Sequence, residues 1–223
     1  HVELRAPLGD DPGAVVARLG AMPPGWRVVF DDVDSVPLDT WRAFAEPVQV
    51  ADDLILRPAW LPAAGDPGVT EIAIEPGASF GLGDHPTTRA SAAVLWRCVT
   101  DGDVVLDVGC GSGALSIVAV KRGALAATAI DVSEAAVAAT RANAVLNEVA
   151  DRVTASATQL GDIADEFDVV VANILAPTLI ELAADLRRVT WRSGTLIISG
   201  VLADHHDHVL DALRPMVPVA TDR

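Results

Sequence analysis

Two carboxylates, an alternating set of glycines and one asparagine define the chemistry within reach of this chain. The run Val104 to Gly113 reads VVLDVGCGSG, so Asp107 leads straight into a turn carrying Gly109, Gly111 and Gly113. Glycines at such a turn let backbone amides approach a ligand closely and aim the N-terminus of the next helix at it. Asp131 follows 22 residues after Gly109, about one β-α-β unit later, where a carboxylate can accept hydrogen bonds from two ribose hydroxyls. Asn173 ends the apolar run Val169 to Ala172. Each has a plainer reading alone: a tight turn needs one glycine, Asp131 stands beside a helix-capping Ser133, and an asparagine at a strand end satisfies local backbone. Together they describe a small-molecule cofactor site.

The elements that position these residues alternate regularly. Strands are expected near Glu71 to Ile74 and at Val104 to Asp107, Ala126 to Ile130, Arg152 to Ala155, Asp168 to Ala172 and Thr195 to Ser199, with one more near Val217 to Ala220. Helices are expected at Thr87 to Trp96, Ala114 to Lys121 and Glu134 to Leu146. Alternating β and α units of this length predict an α/β fold, a doubly wound, mostly parallel sheet covered on both faces. In such a sheet the first and fourth strands flank the switch point, which brings Asn173 beside the glycine loop. Before residue 45 the sequence reads as a small α+β piece, with a short helix from Asp11 to Leu19 and a strand from Trp26 to Phe30. From Glu46 to Gly68, prolines 47, 58, 62 and 67 predict an extended linker with a short strand at Leu54 to Leu56. The expected division is 1–45 as the N-terminal piece, 46–69 as linker and 70–223 as the cofactor-binding domain.

Composition narrows the class. With 223 residues, 51% of them hydrophobic, the chain has material for one good core and a small appendage. No apolar stretch approaches the roughly 20 residues of a bilayer-spanning helix, and no charged-then-apolar leader opens the chain, so a cytoplasmic protein without a membrane partner is expected. Because the chain opens with His1, it reads as a trimmed form of something longer. Cys98 and Cys110 make neither a disulfide framework nor a zinc site and are expected to be reduced, and no metal site is predicted. A net charge of −15 argues against direct DNA binding, which needs basic surface. It favours a basic partner, or else serves only to keep an alanine-rich protein soluble.

Two cofactor classes suit this layout, the dinucleotides and S-adenosylmethionine. Gly109, Gly111 and Ala114 formally satisfy the dinucleotide fingerprint. The extra Gly113 and the acidic Asp107 instead resemble the D-x-G-x-G-x-G loop of class I methyltransferases, in which the acidic residue and the loop backbone hold the methionine part of S-adenosylmethionine. The resemblance sharpens when FGLGDHPTT (Phe80 to Thr88), the Asn143-Ala144-x-x-Asn147 helix, NILA (Asn173 to Ala176) and SGVL (Ser199 to Leu202) are added in order. From about Trp41 to Leu213 the chain resembles the methyltransferases of large-subunit ribosomal protein 11. That resemblance implies a Rossmann-like fold and methyl transfer to lysine side chains and the N-terminal amine of a ribosomal protein. It implies S-adenosylmethionine contacts at Thr88, Gly109, Asp131 and Asn173, with Thr87 and Gly111 as neighbours, Asp107 among the cofactor-binding residues and Asn173 as the catalytic residue. Three departures stand out: Leu82 occupies a position where the family usually has threonine, little chain follows for a last antiparallel strand, and the substrate-selecting N-terminal domain is short. A protein-lysine methyltransferase with another target and a non-catalytic cofactor-binding module are the alternatives.

An amine must lose its proton before it can attack a methyl group, and a lysine of ordinary pKa is neutral only about once in 2,500 at pH 7. Asn173 and nearby carbonyls suit the task of orienting such an amine, and no general base is evident. His85 is expected to order the HPTT turn rather than move protons. His205, His206 and His208 are expected to be exposed helix residues. A dehydrogenase would need a nicotinamide-facing proton donor, and the region after Asn173 supplies no convincing histidine, tyrosine or lysine.

Overall fold

Apolar runs, rich in valine in β4 and β7, build the central sheet, whose middle strands are buried on both faces. The structure, a computed structural model, describes residues 42, 44–75, 85–202 and 206–221. The N-terminal helix and strand expected within residues 11–30, and Leu82 and His205, lie outside the described residues. The chain divides into two compact units, His1–Phe44 and Ala45–Arg223, and the fold described below is that of the second.

Three short strands open it: β1 (Val48–Ala51), β2 (Leu54–Pro58) and β3 (Thr70–Ile74), with β1 and β2 antiparallel and β2 and β3 parallel. They make a sheet of their own. The region expected as a linker therefore carries two strands, and Leu54 and Leu56 are fully buried with Ile72 and Ile74 in the main core. The prolines permit this because Pro47 precedes β1, Pro58 ends β2, and Pro62 and Pro67 fall between β2 and β3, where no ladder hydrogen bond is required.

Helix α1 (Pro86–Cys98) follows, then β4 (Val104–Val108), α2 (Ala114–Arg122), β5 (Ala126–Ile130), α3 (Glu134–Leu146), β6 (Val153–Ser156), β7 (Phe167–Asn173), α4 (Ala176–Val189), β8 (Thr190–Ser199) and α5 (His206–Ala212). The second sheet has the order β6-β5-β4-β7-β8, and every pair in it is parallel. Its strands show the period of two. Val105, Val169 and Val171 face α1, α2 and the small sheet, while Leu106, Val170 and Ala172 face α4 and α5. Strand β8 starts five residues earlier than Thr195, because Thr190 pairs with Phe167 and residues 191–194 bulge before pairing resumes at Val169. Val217 to Ala220, expected as a strand, forms none: Pro218 lacks a donor, and Val217 and Val219 are exposed without a neighbouring strand.

Candidate functional site

The C-terminal ends of β4, β5 and β7 open onto a cavity of about 620 Å³, a size suited to a small ligand. Thr88, Gly109, Gly111, Asp131 and Asn173 all line it, so five of the residues singled out in the sequence come together.

The glycine loop is shaped largely by bonds to itself and its neighbours. Gly109 N and Cys110 N both donate to Ile130 O, Gly113 N donates to Cys110 O, and Gly111 N donates to Asp131 Oδ2 at 3.0 Å. The glycines therefore serve mainly to let the backbone turn. Gly109 (φ 75°) and Gly113 (φ 79°) lie in the left-handed region. A Cβ on Gly109 would overlap Ile174, and one on Gly113 would come within 2.7 Å of Thr140 Cγ2.

Asp107 stands behind this wall rather than on it. Alternation along β4 sets it on the Val105 face, under α2, where it is 1% exposed. Its Oδ2 accepts from Ser116 N at 3.0 Å and from Ser116 Oγ at 2.7 Å, locking the first turns of α2 to the strand. Burial pushes its carboxyl up to about 6, against the opposing pull of the Ser116 bonds. Asp131, by contrast, is partly exposed at the cavity edge. Oδ2 takes the Gly111 amide and Oδ1 takes Ser133 N at 2.9 Å, which leaves lone pairs on both oxygens for a ligand.

Asn173 closes the far end. Its Nδ2 donates to Thr88 Oγ1 at 3.2 Å, joining β7 to the first turn of α1 and leaving Oδ1 as an acceptor. Thr87 does not line the cavity; its carbonyl accepts from Ser199 Oγ at 3.3 Å. His85 is the N-cap of α1, its Nδ1 3.3 Å from Thr87 N and 2.7 Å from Thr87 Oγ1, with Pro86 in the first turn. The Ser199–Leu202 segment supports the same wall, because Gly200 (φ 82°) packs on the Ile174 backbone so closely that a Cβ would approach Ile174 O to 2.6 Å.

Sequence reasoning missed Val132, Thr158, Gln159 and Leu160, which complete the cavity on the β5–β6 side. The signal was available: residues just past β6 reach the same sheet edge as those past β4, β5 and β7. Cys110 also lines the cavity, but burial and the neighbouring Asp107 push its thiol up to about 12, so it remains protonated. His206 and His208 lie on α5, away from the cavity, and among the described residues no group of three or more His, Cys, Asp or Glu is placed to hold a metal.

A five-stranded parallel sheet of order 3-2-1-4-5, with an acidic residue after its second strand and a glycine loop after its first, is the Rossmann-like arrangement of class I methyltransferases. Residues 33–221 match the family model for ribosomal protein L11 methyltransferase (PrmA), and the chain belongs to that family. It is 41% identical over 176 residues to the ribosomal protein L11 methyltransferase of Shouchella clausii, covering 78% of this chain and 56% of the relative. It is 43% identical over 172 residues to the one from Geobacter metallireducens, covering 77% and 56%. The chain thus spans about half the length of the curated relatives it matches. A solved ribosomal protein L11 methylase from Lactobacillus delbrueckii subsp. bulgaricus superposes with a TM-score of 0.70 at 31% identity, covering 75% of this chain and 86% of that one. A precorrin 8w decarboxylase from Methanobacterium thermoautotrophicum, at TM-score 0.51 and 22% identity over 58% of this chain and 72% of that one, shares the fold alone.

Proposed function

We propose that this chain binds S-adenosylmethionine and transfers its methyl group to amines, lysine side chains and the N-terminal amine, of ribosomal protein L11 in the cytoplasm. The observation that carries the reading is the convergence of Asp131, the glycine loop and Asn173 on one cavity in a member of this family. The cavity fits the cofactor: a carboxylate with open lone pairs on both oxygens suits a ribose diol, and the close backbone turn of the loop suits the slender methionine chain. Bound there, S-adenosylmethionine supplies a methyl group already activated on a sulfonium centre. Asp131 would accept hydrogen bonds from the two ribose hydroxyls, and Val132, Gln159 and Leu160, which line the cavity beside it, would hold the adenine end. Gly109 and Gly111 let the loop backbone run along the methionine part. Asp107 acts from behind, fixing the loop and α2 through Ser116 without touching the ligand.

At the reacting end Asn173 carries the burden. With its nitrogen engaged by Thr88, Oδ1 is left to accept a hydrogen bond and would hold and orient an incoming amine. Deprotonating an ordinary lysine at pH 7 costs about 4.6 kcal/mol, and the apolar side chain of Ile174 on the cavity wall would offset part of this by penalising the ammonium form. A net charge of −15 favours encounter with a basic ribosomal protein.

The test is transfer of labelled methyl from S-adenosylmethionine into a bacterial extract containing unmethylated L11, with labelled proteins identified by mass spectrometry. Label on L11 supports the reading. Label on another protein reassigns the target, and cofactor binding without any label leaves a binding module.

A further inference from the structure

Strand β3 lies at the edge of its sheet, and the groups on its outer side are not paired by a strand. Its even-numbered residues turn to β2, as Thr70 N donating to Asp53 O and Ile74 O accepting from Ala59 N demonstrate. Its odd-numbered residues turn to α3. There Asn147 Oδ1 accepts from Ala73 N at 2.9 Å while Asn147 Nδ2 donates to Ala73 O at 2.7 Å. One helical turn earlier, Asn143 Oδ1 accepts from Glu75 N at 2.9 Å and Asn143 Nδ2 donates to Glu75 O at 2.8 Å. The match is geometric: four residues of helix advance about 6 Å and two residues of strand about 6.6 Å. Two primary amides thus stand in for a neighbouring strand.

The two asparagines differ in their remaining hydrogen. That of Asn147 stays within the helix, on Asn143 O at 2.8 Å. That of Asn143 leaves the helix and is donated at 2.9 Å to Ser112 O, in the glycine loop that walls the cavity. Thr140, three residues before it, grips the same loop by donating from Oγ1 to Gly111 O at 3.1 Å. All three side chains are buried, Thr140 at 0%, Asn143 at 1% and Asn147 at 6% exposure. Holding Ser112 O fixes the peptide plane that enters Gly113, whose left-handed φ of 79° starts α2.

We infer that Asn143 is a positioning residue for the cofactor cavity: one amide ties the glycine loop to the end of β3, whereas Asn147 anchors only the small sheet. The binding readout rests on the cofactor reading above; the exchange readout does not. In the full chain, Asn143→Ala and Asn147→Ala are compared in two ways. Hydrogen exchange without ligand is expected to speed up at residues 111–113 in N143A but not in N147A, although both loosen β3. Titration with S-adenosylhomocysteine is expected to give about tenfold weaker binding for N143A, the loss of one buried hydrogen bond, with N147A close to the parent. Should N143A not fold, Thr140→Val removes the other tie to the loop, leaves β3 untouched, and is expected to shift exchange and binding in the same direction. Equal loop exchange in N143A and N147A, or unchanged exchange in T140V, overturns the inference. If the parent chain fails to bind S-adenosylhomocysteine, the cofactor reading falls while the exchange comparison still decides the role of Asn143.

Discussion

Replacing Asp107 by asparagine isolates the effect of burying a carboxylate under α2. The folded chain raises this group from an ordinary 3.8 to about 6, chiefly through burial. Between those values the folded state holds a proton that the unfolded chain releases. Stability contributed by the protonated form is therefore fully present below about pH 4 and is lost as pH rises through about 6, above which no further change is due to this group. The difference between 3.8 and about 6 corresponds to about 3 kcal/mol. Asparagine keeps an oxygen for Ser116 and cannot ionise. The difference in unfolding free energy, D107N minus parent, is thus expected to climb by about 3 kcal/mol from pH 4 to pH 7.5. Urea unfolding of both proteins across that range measures it, and titrating groups that do not interact with Asp107 cancel in the difference. A difference that stays flat, or that falls with rising pH, refutes the argument. Ser116→Ala removes a hydrogen bond that favours the carboxylate and should move the transition to higher pH; Asp131→Asn removes a like charge and should move it lower.

Other substitutions test the ligand side. Asp131→Ala removes the proposed acceptor for two ribose hydroxyls together with the Gly111 and Ser133 contacts, and calorimetry should find S-adenosylmethionine bound more weakly by about 1 to 3 kcal/mol. Unchanged affinity would remove Asp131 from the site. Asn173→Ala, at a half-buried strand end, should lower kcat far more than the unfolding midpoint, and a fully active variant would end its proposed role. Gly200→Ala forces a Cβ within 2.6 Å of Ile174 O at a φ of 82°, so Ile174 and the adjoining Asn173 must shift. Turnover is expected to drop while cofactor affinity falls less; unaltered kinetics would show that the wall tolerates the displacement.

The main sheet was legible because parallel strands buried on both faces read as apolar runs between helical stretches, and each of its five expected strands overlaps an observed one. The small sheet was less so. Prolines dominated the reading of residues 46–68, although Leu54 and Leu56 already carried the alternation of a buried strand; which side of a proline a ladder needs is decided by the partner strand, and that is a tertiary fact. Helix α3 reads as an alanine-rich amphipathic helix, and its buried amides are explained only by the free edge of β3 that they meet.

The two aspartates mark the limit most sharply, since they were read together as flanking one cofactor. Their separation follows from a rule the sequence already contained. On β4, Asp107 is two residues from Val105 and so shares its face, the one that α2 covers. Asp131 lies one residue beyond β5, past the last residue that pairs with β4; its backbone N still donates to Ser156 O, the last residue of β6, while its side chain lines the cavity. A carboxylate within a central strand is thus committed to the packing of its own β-α unit, while one just past a strand is available to a ligand. Distance from the strand end, more than proximity to the glycines, separates the residue that shapes this site from the one that faces its cavity.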